Sequence, residues 1–312
     1  MGPRIVVLGG SGFVGSALVA RLVAAGHEVV VPTRSRERSR HLILLPTIDV
    51  VEADIHDPVR LHALVRGADA VVNLVGILNE SGREPFARVH VELARNLVAA
   101  CGAAGVPRLL QMSALNADPA GPSRYLASKG EAQAIVEASD LGWTVFRPSV
   151  IFGQGDHFLT LFARLAHALP VIALPAADAK FQPVWVGDVV TAFERALARP
   201  RTARQRYELC GPKVYTLREI VRYASETAGA VRPIVPLGGA LAKLQAFVLE
   251  QLPGRLMSRD DLLSMTRDSV CECAFPAEFG LEPSSIEALA PHWLAPDALR
   301  DRYEAMRASV GH

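Results

Sequence analysis

The 312-residue chain has no excess of charge of either sign: 33 basic and 32 acidic side chains leave a formal net charge of +1. That balance gives no whole-chain electrostatic case for nucleic acid or an anionic membrane as partner. Cysteine is scarce as well. Four residues, Cys101, Cys210, Cys271 and Cys273, are too few for a disulfide scaffold and agree with a reducing compartment. Cys271-x-Cys273 lacks a histidine or further cysteine at metal spacing, so it reads as two thiols on one face of a short strand. The nine histidines contain no H-x-x-x-H pair or other ligand set, and no metal is expected. Long hydrophobic runs are missing too. The uncharged stretch Ile5 to Ala20 is too short to span a bilayer, and its glycines argue against a signal core. The expected location is cytoplasmic, with peripheral association at the inner membrane left open.

What the chain does have is enough apolar material for a core, 50% of residues against 21% charged, which excludes wholesale disorder. Its first half alternates β-rich runs (Arg4–Leu8, Glu28–Val31, Asp49–Val51, Ala70–Leu74, Arg108–Gln111, Thr144–Phe146) with helical stretches (Phe13–Ala25, Pro58–Arg66, Phe86–Ala104, Ser123–Ser139). Alternation of this kind predicts an α/β fold, a Rossmann-type doubly wound parallel sheet. Near-continuous apolar strands such as Ile5-Val6-Val7-Leu8 fit burial on both faces. Beyond about Arg147 the order becomes irregular and prolines multiply. We therefore expect a dinucleotide-binding domain over residues 1–150. A smaller C-terminal α+β substrate or interaction unit should cover 151–312, with segments around 181–198 packing back on the core.

The first predicted strand runs into Gly9-Gly10-Ser11-Gly12-Phe13-Val14-Gly15 and then an apolar helix. In strand–loop–helix context this G-x-x-G-x-x-G pattern reads as a pyrophosphate loop. Gly9 makes the tight turn, Gly12 admits the phosphates, Gly15 lets helix and strand pack closely, and the helix N–H groups at Phe13 and Val14 face the anion. The end of the second strand discriminates between nicotinamide cofactors, because a carboxylate there binds the ribose 2′-hydroxyl whereas an arginine accepts a 2′-phosphate. Here Pro32-Thr33-Arg34-Ser35-Arg36 precedes any carboxylate, so NADP(H) is expected over NAD(H), with Arg34 as main phosphate partner. An ordinary solvated basic loop is the alternative. Asp54-Ile55 after the third strand, and Leu74, Val75 and Gly76 after the fourth, are placed to flank the adenine and its ribose.

Lysine is the scarcest charged residue: four of the 33 basic positions, Lys129, Lys180, Lys213 and Lys243. One of the four follows a tyrosine by four residues, in Tyr125-Leu126-Ala127-Ser128-Lys129. At i and i+4 on a helix the two side chains share a face. An ammonium beside a phenol favours the phenolate and brings it towards working pH, while Ser113, twelve residues upstream, can donate to a substrate oxygen. A Tyr/Lys pair on a solvated helix face is the alternative.

With these residues in place, the chain resembles the short-chain dehydrogenase/reductase superfamily in its extended or atypical branch. Carrying the likeness are the glycine loop, Asp54-Ile55, Ser113, Tyr125/Lys129 and Arg147-Pro148-Ser149-Val150-Ile151-Phe152-Gly153. Within that branch it looks most like the nucleotide-binding accessory subunit of respiratory complex I and its bacterial relatives, through residues 146–159, Gln182–Val189 and Tyr207–Pro212. The resemblance implies NADP(H) binding and places Pro148 and Ser149 by the nicotinamide. Leu8 stands where the family usually has threonine, which removes a hydroxyl contact at the loop. Three functions follow as expectations: an oxidoreductase on a small apolar carbonyl or alcohol, quinone-like or lipid-like; a non-catalytic NADPH-binding accessory or assembly protein of a redox complex; and, more weakly, a sugar-nucleotide epimerase or dehydratase.

Two second-half features complete the reading. Asp188 in Gly187-Asp188-Val189 reads as an N-cap rather than a catalytic acid. Residues 237–252 are apolar around most of a helical circumference, which is expected to be buried unless it lines a pocket or docks on a partner or membrane.

Overall fold

A computed structural model of the chain describes residues 2–80, 84–251 and 257–296. Its elements run, in order, β1 (Arg4–Leu8), α1 (Phe13–Ala24), β2 (Glu28–Thr33), α2 (Arg40–Ile43), β3 (Ile48–Glu52), α3 (Pro58–Val65) and β4 (Ala70–Asn73). A π-helical segment (Ala87–Glu92) leads into α4 (Leu93–Ala104), β5 (Arg108–Met112), α5 (Arg124–Glu137) and β6 (Gly142–Pro148). Next come β7 (Ile151–Phe152), α6 (Leu159–Ala168), β8 (Ile172–Pro175), β9 (Lys180–Phe181), β10 (Val184–Trp185) and α7 (Val186–Leu197). They are followed by β11 (Gln205–Leu209), β12 (Tyr215–Thr216), α8 (Leu217–Thr227), β13 (Ile234–Leu237) and α9 (Gly239–Gln251).

Two compact units divide the chain. The first comprises residues 1–148, 186–209 and 271–281 and is built on a seven-stranded sheet of order β11-β6-β5-β4-β1-β2-β3. Every pairing in it is parallel. The strand order reverses between β1 and β4, and the carboxyl ends of those strands open a crevice where such folds bind ligands. Leu8 pairs with Asn73, so the glycine loop after β1 and the Leu74–Gly76 segment after β4 are neighbours there. Val6, Leu8, Val71, Leu109 and Val145 of the sheet pack with Leu61, Leu97 and Val136 of α3, α4 and α5. The alternate strand residues Ile5, Val7, Val72, Leu110 and Phe146 are buried too, Phe146 against Phe193 of α7, and burial on both faces is why the strands read as continuous apolar runs.

The late segment 186–209 belongs to this unit for identifiable reasons. Arg108 on β5 donates to Thr144 Oγ1 on β6 (2.8 Å), to Thr202 Oγ1 (2.6 Å) and to the Ala196 carbonyl of α7 (3.1 Å). Phe146 on β6 meets Phe193 on α7 with ring centroids 4.1 Å apart. Asp188 is the third residue of α7 and lies in its first turn, so it is not the cap; its charge still meets the positive end of the helix dipole.

The second unit, 149–185, 210–270 and 282–312, is α+β. It holds three two-stranded pairings, parallel β7–β10, antiparallel β9–β12 and parallel β8–β13. Its core gathers Phe152, Phe162, Ile172, Leu174, Phe181, Leu217 and Ile220. Two sequence expectations change in the structure. Helix α9 buries Ala242 and Ala246 and exposes Leu241, Leu244, Phe247 and Val248, because its small residues rather than its large ones face the protein. Leu252, at the end of the same apolar stretch, lies outside the described residues. The cysteines are not all thiols either: Cys210 and Cys271 are disulfide-bonded, and Cys101 and Cys273 are free. Residues 271–276 form bends rather than a strand, so Cys271 and Cys273 share no strand face. Among the described residues no helix is long and apolar enough to cross a membrane.

Candidate active site

The glycine loop is shaped by contacts that exclude side chains. A Cβ on Gly15 would lie 2.1 Å from the Gly9 carbonyl oxygen and 2.7 Å from Gly10 Cα, so α1 can approach the loop only with glycine there. Gly9 has φ +77°, the left-handed region that favours glycine. Gly12 is different: a Cβ there would meet only the Gly9 oxygen, at 3.3 Å. Its surface faces outward at the start of α1, where no side chain caps the helix and no carboxylate occupies the first turn. The N–H groups around Phe13 and Val14 are therefore arranged to receive an anion, and the loop fits a dinucleotide pyrophosphate.

At the end of β4 the backbone is held by its own strand residue. Asn73 Oδ1 accepts from the Val75 N–H (3.1 Å), Asn73 Nδ2 donates to Gln111 Oε1 (2.9 Å), and Leu74 N–H donates to the Leu8 carbonyl (3.0 Å). Gln111 in turn donates to the Met112 carbonyl at 3.2 Å, which also accepts from Lys129 Nζ at 3.1 Å. The ends of β4 and β5 and the middle of α5 thus share one polar network. Gly76 lies beside it: a Cβ there would sit 3.2 Å from Lys129 Nζ and 3.8 Å from His90 Nε2.

Helix α5 is started by Ser123, whose hydroxyl accepts from the Leu126 N–H at 3.1 Å. Tyr125 and Lys129 follow one turn apart. Lys129 is buried, and desolvation pulls its ammonium down to about 8. Ser113, directly after Met112, is 4% exposed. Its backbone N–H donates to the Phe146 carbonyl (2.7 Å), while its Oγ is buried and finds no hydrogen-bond partner among the described residues.

At the adenine end, Asp54 Oδ1 accepts from the His56 N–H (2.9 Å) and so shapes the turn containing Ile55. Arg34 is exposed after β2 and forms an ion pair with Glu84. Burial, then the charge of Arg88, hold the His56 imidazole below its ordinary value; Asp54 opposes this and Arg34 adds to it. Arg34 and Arg88 are therefore both close to the turn that follows β3. Pro148 ends β6, and its carbonyl accepts from Leu115 N–H (2.9 Å). Ser149 opens the second unit, where its hydroxyl donates to the Ser269 carbonyl (2.8 Å) and shares a bond with Ser269 Oγ (3.0 Å).

Residue-type reasoning missed Glu84, Arg88 and His90. Arg88 and His90 belong to the stretch expected as one helix from Phe86, and Glu84 lies two residues before it. The π-helical turn at Ala87–Glu92 changes which residues share a face, and such turns recur at functional sites. The available signal was Phe86 and His90 four apart; their rings stack at 5.5 Å.

Residues 9–176 match a family model described as NAD(P)H-binding. The chain is 30% identical over 299 residues to the mitochondrial NADH-ubiquinone oxidoreductase 40 kDa subunit of Neurospora crassa, spanning 94% of this chain and 79% of that protein. It is 28% identical over 233 residues to a ceramide reductase of Caulobacter vibrioides, covering 75% of this chain and 73% of the reductase. Among solved structures, the UDP-glucose 4-epimerase of Thermotoga maritima superposes with a TM-score of 0.71 at 18% identity, covering 96% of this chain and 99% of the epimerase, a likeness of fold. With its parallel sheet, glycine loop and these relatives, the chain belongs to the NAD(P)H-binding family of short-chain dehydrogenase/reductase type that includes the 40 kDa subunits of NADH-ubiquinone oxidoreductase.

Proposed function

We propose that the protein is an NADP(H)-dependent oxidoreductase acting on an apolar carbonyl or alcohol of lipid-like or quinone-like character. Tyr125 serves as acid–base, Lys129 tunes it and holds the ribose, and Ser113 orients the substrate oxygen. The observation that carries this reading is the Ser113 hydroxyl, buried without a partner one residue beyond the carbonyl that anchors Lys129. Leaving such a group unpaired costs about 1–3 kcal/mol, which a bound substrate oxygen would recover. When bound, the nicotinamide supplies or accepts the hydride. Tyr125 gives or takes the accompanying proton at its phenol oxygen, and Lys129, charged below about pH 8, favours the phenolate. The glycine loop and Gly76 orient the nucleotide; Arg34 and Arg88 favour the 2′-phosphorylated form. A relative named ceramide reductase supports a lipid-like substrate.

A second reading has its own support. A relative that spans 94% of this chain and 79% of its own length is a subunit of NADH-ubiquinone oxidoreductase, and the large apolar residues of α9 are exposed. Both would suit an accessory protein that holds its nucleotide structurally within a redox complex peripheral to a membrane. The deciding experiment follows NADPH oxidation with apolar ketones, aldehydes and quinones, for wild type and Tyr125→Phe. The proposed enzyme loses turnover by about 10² or more with nucleotide affinity nearly unchanged. A rate independent of Tyr125 refutes the mechanism, and unchanged NADPH binding without turnover on any of these substrates favours the accessory reading.

A further inference from the structure

We propose that His90 is a positioning residue: its neutral imidazole clamps the nucleotide-side end of β4 to the helix that carries Tyr125 and Lys129. The proposal rests on the reading of that helix given above and adds the residue that sets its distance from Gly76 and Ile77.

His90 is 3% exposed and spends both ring nitrogens. Nε2 lies 3.2 Å from the Ile77 amide nitrogen, and Nδ1 lies 2.8 Å from Ser128 Oγ. The proton positions follow from the partners. A backbone N–H can only donate, so Nε2 carries the lone pair. Ser128 donates its hydroxyl hydrogen to the Tyr125 carbonyl at 2.8 Å, so its oxygen accepts from Nδ1–H. One tautomer satisfies every atom. The ring is further fixed by stacking on Phe86 and by an edge contact with Tyr125, centroids 5.9 Å apart.

This bracket acts on both halves of the candidate site. On one side it fixes the backbone directly after Gly76; on the other it grips α5 through Ser128, one residue before Lys129. His90 Nε2 and Lys129 Nζ converge on Gly76, so the bracket governs how much room lies between strand end and ammonium. A doubly protonated ring would place a proton against the Ile77 N–H and a cation beside Lys129. Burial and the Lys129 charge accordingly hold His90 down to about 3. The titratable groups facing the ring are Lys129 and Tyr125, both from α5. A hydrophobic residue of the same size would fill the space but could make neither hydrogen bond.

The test uses side chains that reproduce one ring nitrogen each. Glutamine reaches the Nε2 position and can accept from Ile77, whereas asparagine reaches only the Nδ1 position and can serve Ser128. Phenylalanine keeps the stack and neither bond. NADPH is titrated calorimetrically into the full chain at pH 7, and the His90 ring protons are followed by NMR from pH 5 to 8. We expect His90→Phe to weaken NADPH about tenfold or more, His90→Gln to recover wild-type affinity within about threefold, and His90→Asn to remain about tenfold weak. The ring signals should not titrate. Wild-type affinity in His90→Phe, equal recovery by Asn and Gln, or ring titration near pH 6.5 would each overturn the proposal. If His90→Phe does not fold, the Gln/Asn comparison decides alone. Failure of the acid–base reading would appear instead as Tyr125-independent turnover, which leaves the Gln/Asn order in NADPH binding untouched.

Discussion

In the proposed enzyme two charged side chains carry the residue-scale chemistry, and each has a cost visible in the structure. Lys129 is an ammonium brought inside the protein, with one carbonyl as its recorded acceptor and its ordinary value lowered by desolvation. Replacing a buried charge by an apolar chain of similar length is often neutral or stabilising. Lys129→Met should therefore keep or raise the melting temperature at pH 7, by about 2–4 °C at most, while weakening NADPH binding; calorimetric melting and titration of one preparation check both. In the proposed enzyme Arg34 carries the nucleotide preference, and its guanidinium is already paired with Glu84. Exposed pairs of this kind contribute about 0–1 kcal/mol, so a 2′-phosphate must compete with Glu84. Glu84→Gln is expected to tighten NADPH about two- to fivefold and leave NADH unchanged, whereas Arg34→Ala reduces the NADPH preference about tenfold. Parallel titrations with both nucleotides measure the difference, and equal shifts for both would place the 2′-phosphate elsewhere.

Among elements, the phosphate loop separates what folding requires from what binding requires. Gly15 is pressed against backbone: its Cβ would lie 2.1 Å from the Gly9 oxygen, where nothing flexible can yield. Gly12 has only the mild 3.3 Å contact. Gly15→Ala should thus destabilise the fold by about 2 kcal/mol or more. Gly12→Val should fold nearly as well as wild type yet lose the thermal stabilisation by NADPH and NADH alike. Thermal melts with and without nucleotide test the contrast. The glycine pattern is legible because each position serves a backbone need that no other residue type meets. The π-helical turn is less so: its existence depends on how α5 and the end of β4 pack around His90, and no local propensity announces it.

For the whole molecule, acid sensitivity follows from His90, a histidine it buries neutral. His90 is held at about 3 in the folded protein against 6.5 when exposed, so between those values the unfolded chain binds a proton that the native state refuses. Stability from this group is complete above about pH 6.5 and is lost as pH falls towards 3, at a slope on the order of 1 kcal/mol per pH unit. His56, also lowered, acts in the same direction. Denaturant unfolding of wild type and His90→Gln at pH 4.5 and 7 should show the variant losing less stability on acidification. Equal losses would mean that His90 titrates normally.

By itself the sequence determined the alternation of strands and helices up to about residue 147, the glycine loop and the Tyr125/Lys129 spacing, because these rest on local rules: period-two and continuous apolar runs, backbone conformations restricted to glycine, and the helical i to i+4 relation. Even the doubly wound class follows, since alternating strands and helices leave few right-handed ways to cover a parallel sheet. The sequence also predicts that a segment around 181–198 packs back on the core, and the stretch in the first unit, 186–209, is the one where Arg108 and Phe146 find partners. Tertiary structure alone decided the rest. Helix α9 exposes its large side chains because Ala242 and Ala246 face inward, a choice that an almost uniformly apolar circumference cannot encode. Glu84 meets Arg34 after β2 and Arg88 acts on His56 after β3, while His90 joins the end of β4 to α5. Such contacts depend on distances across the fold, and a linear chain specifies those only once it has packed.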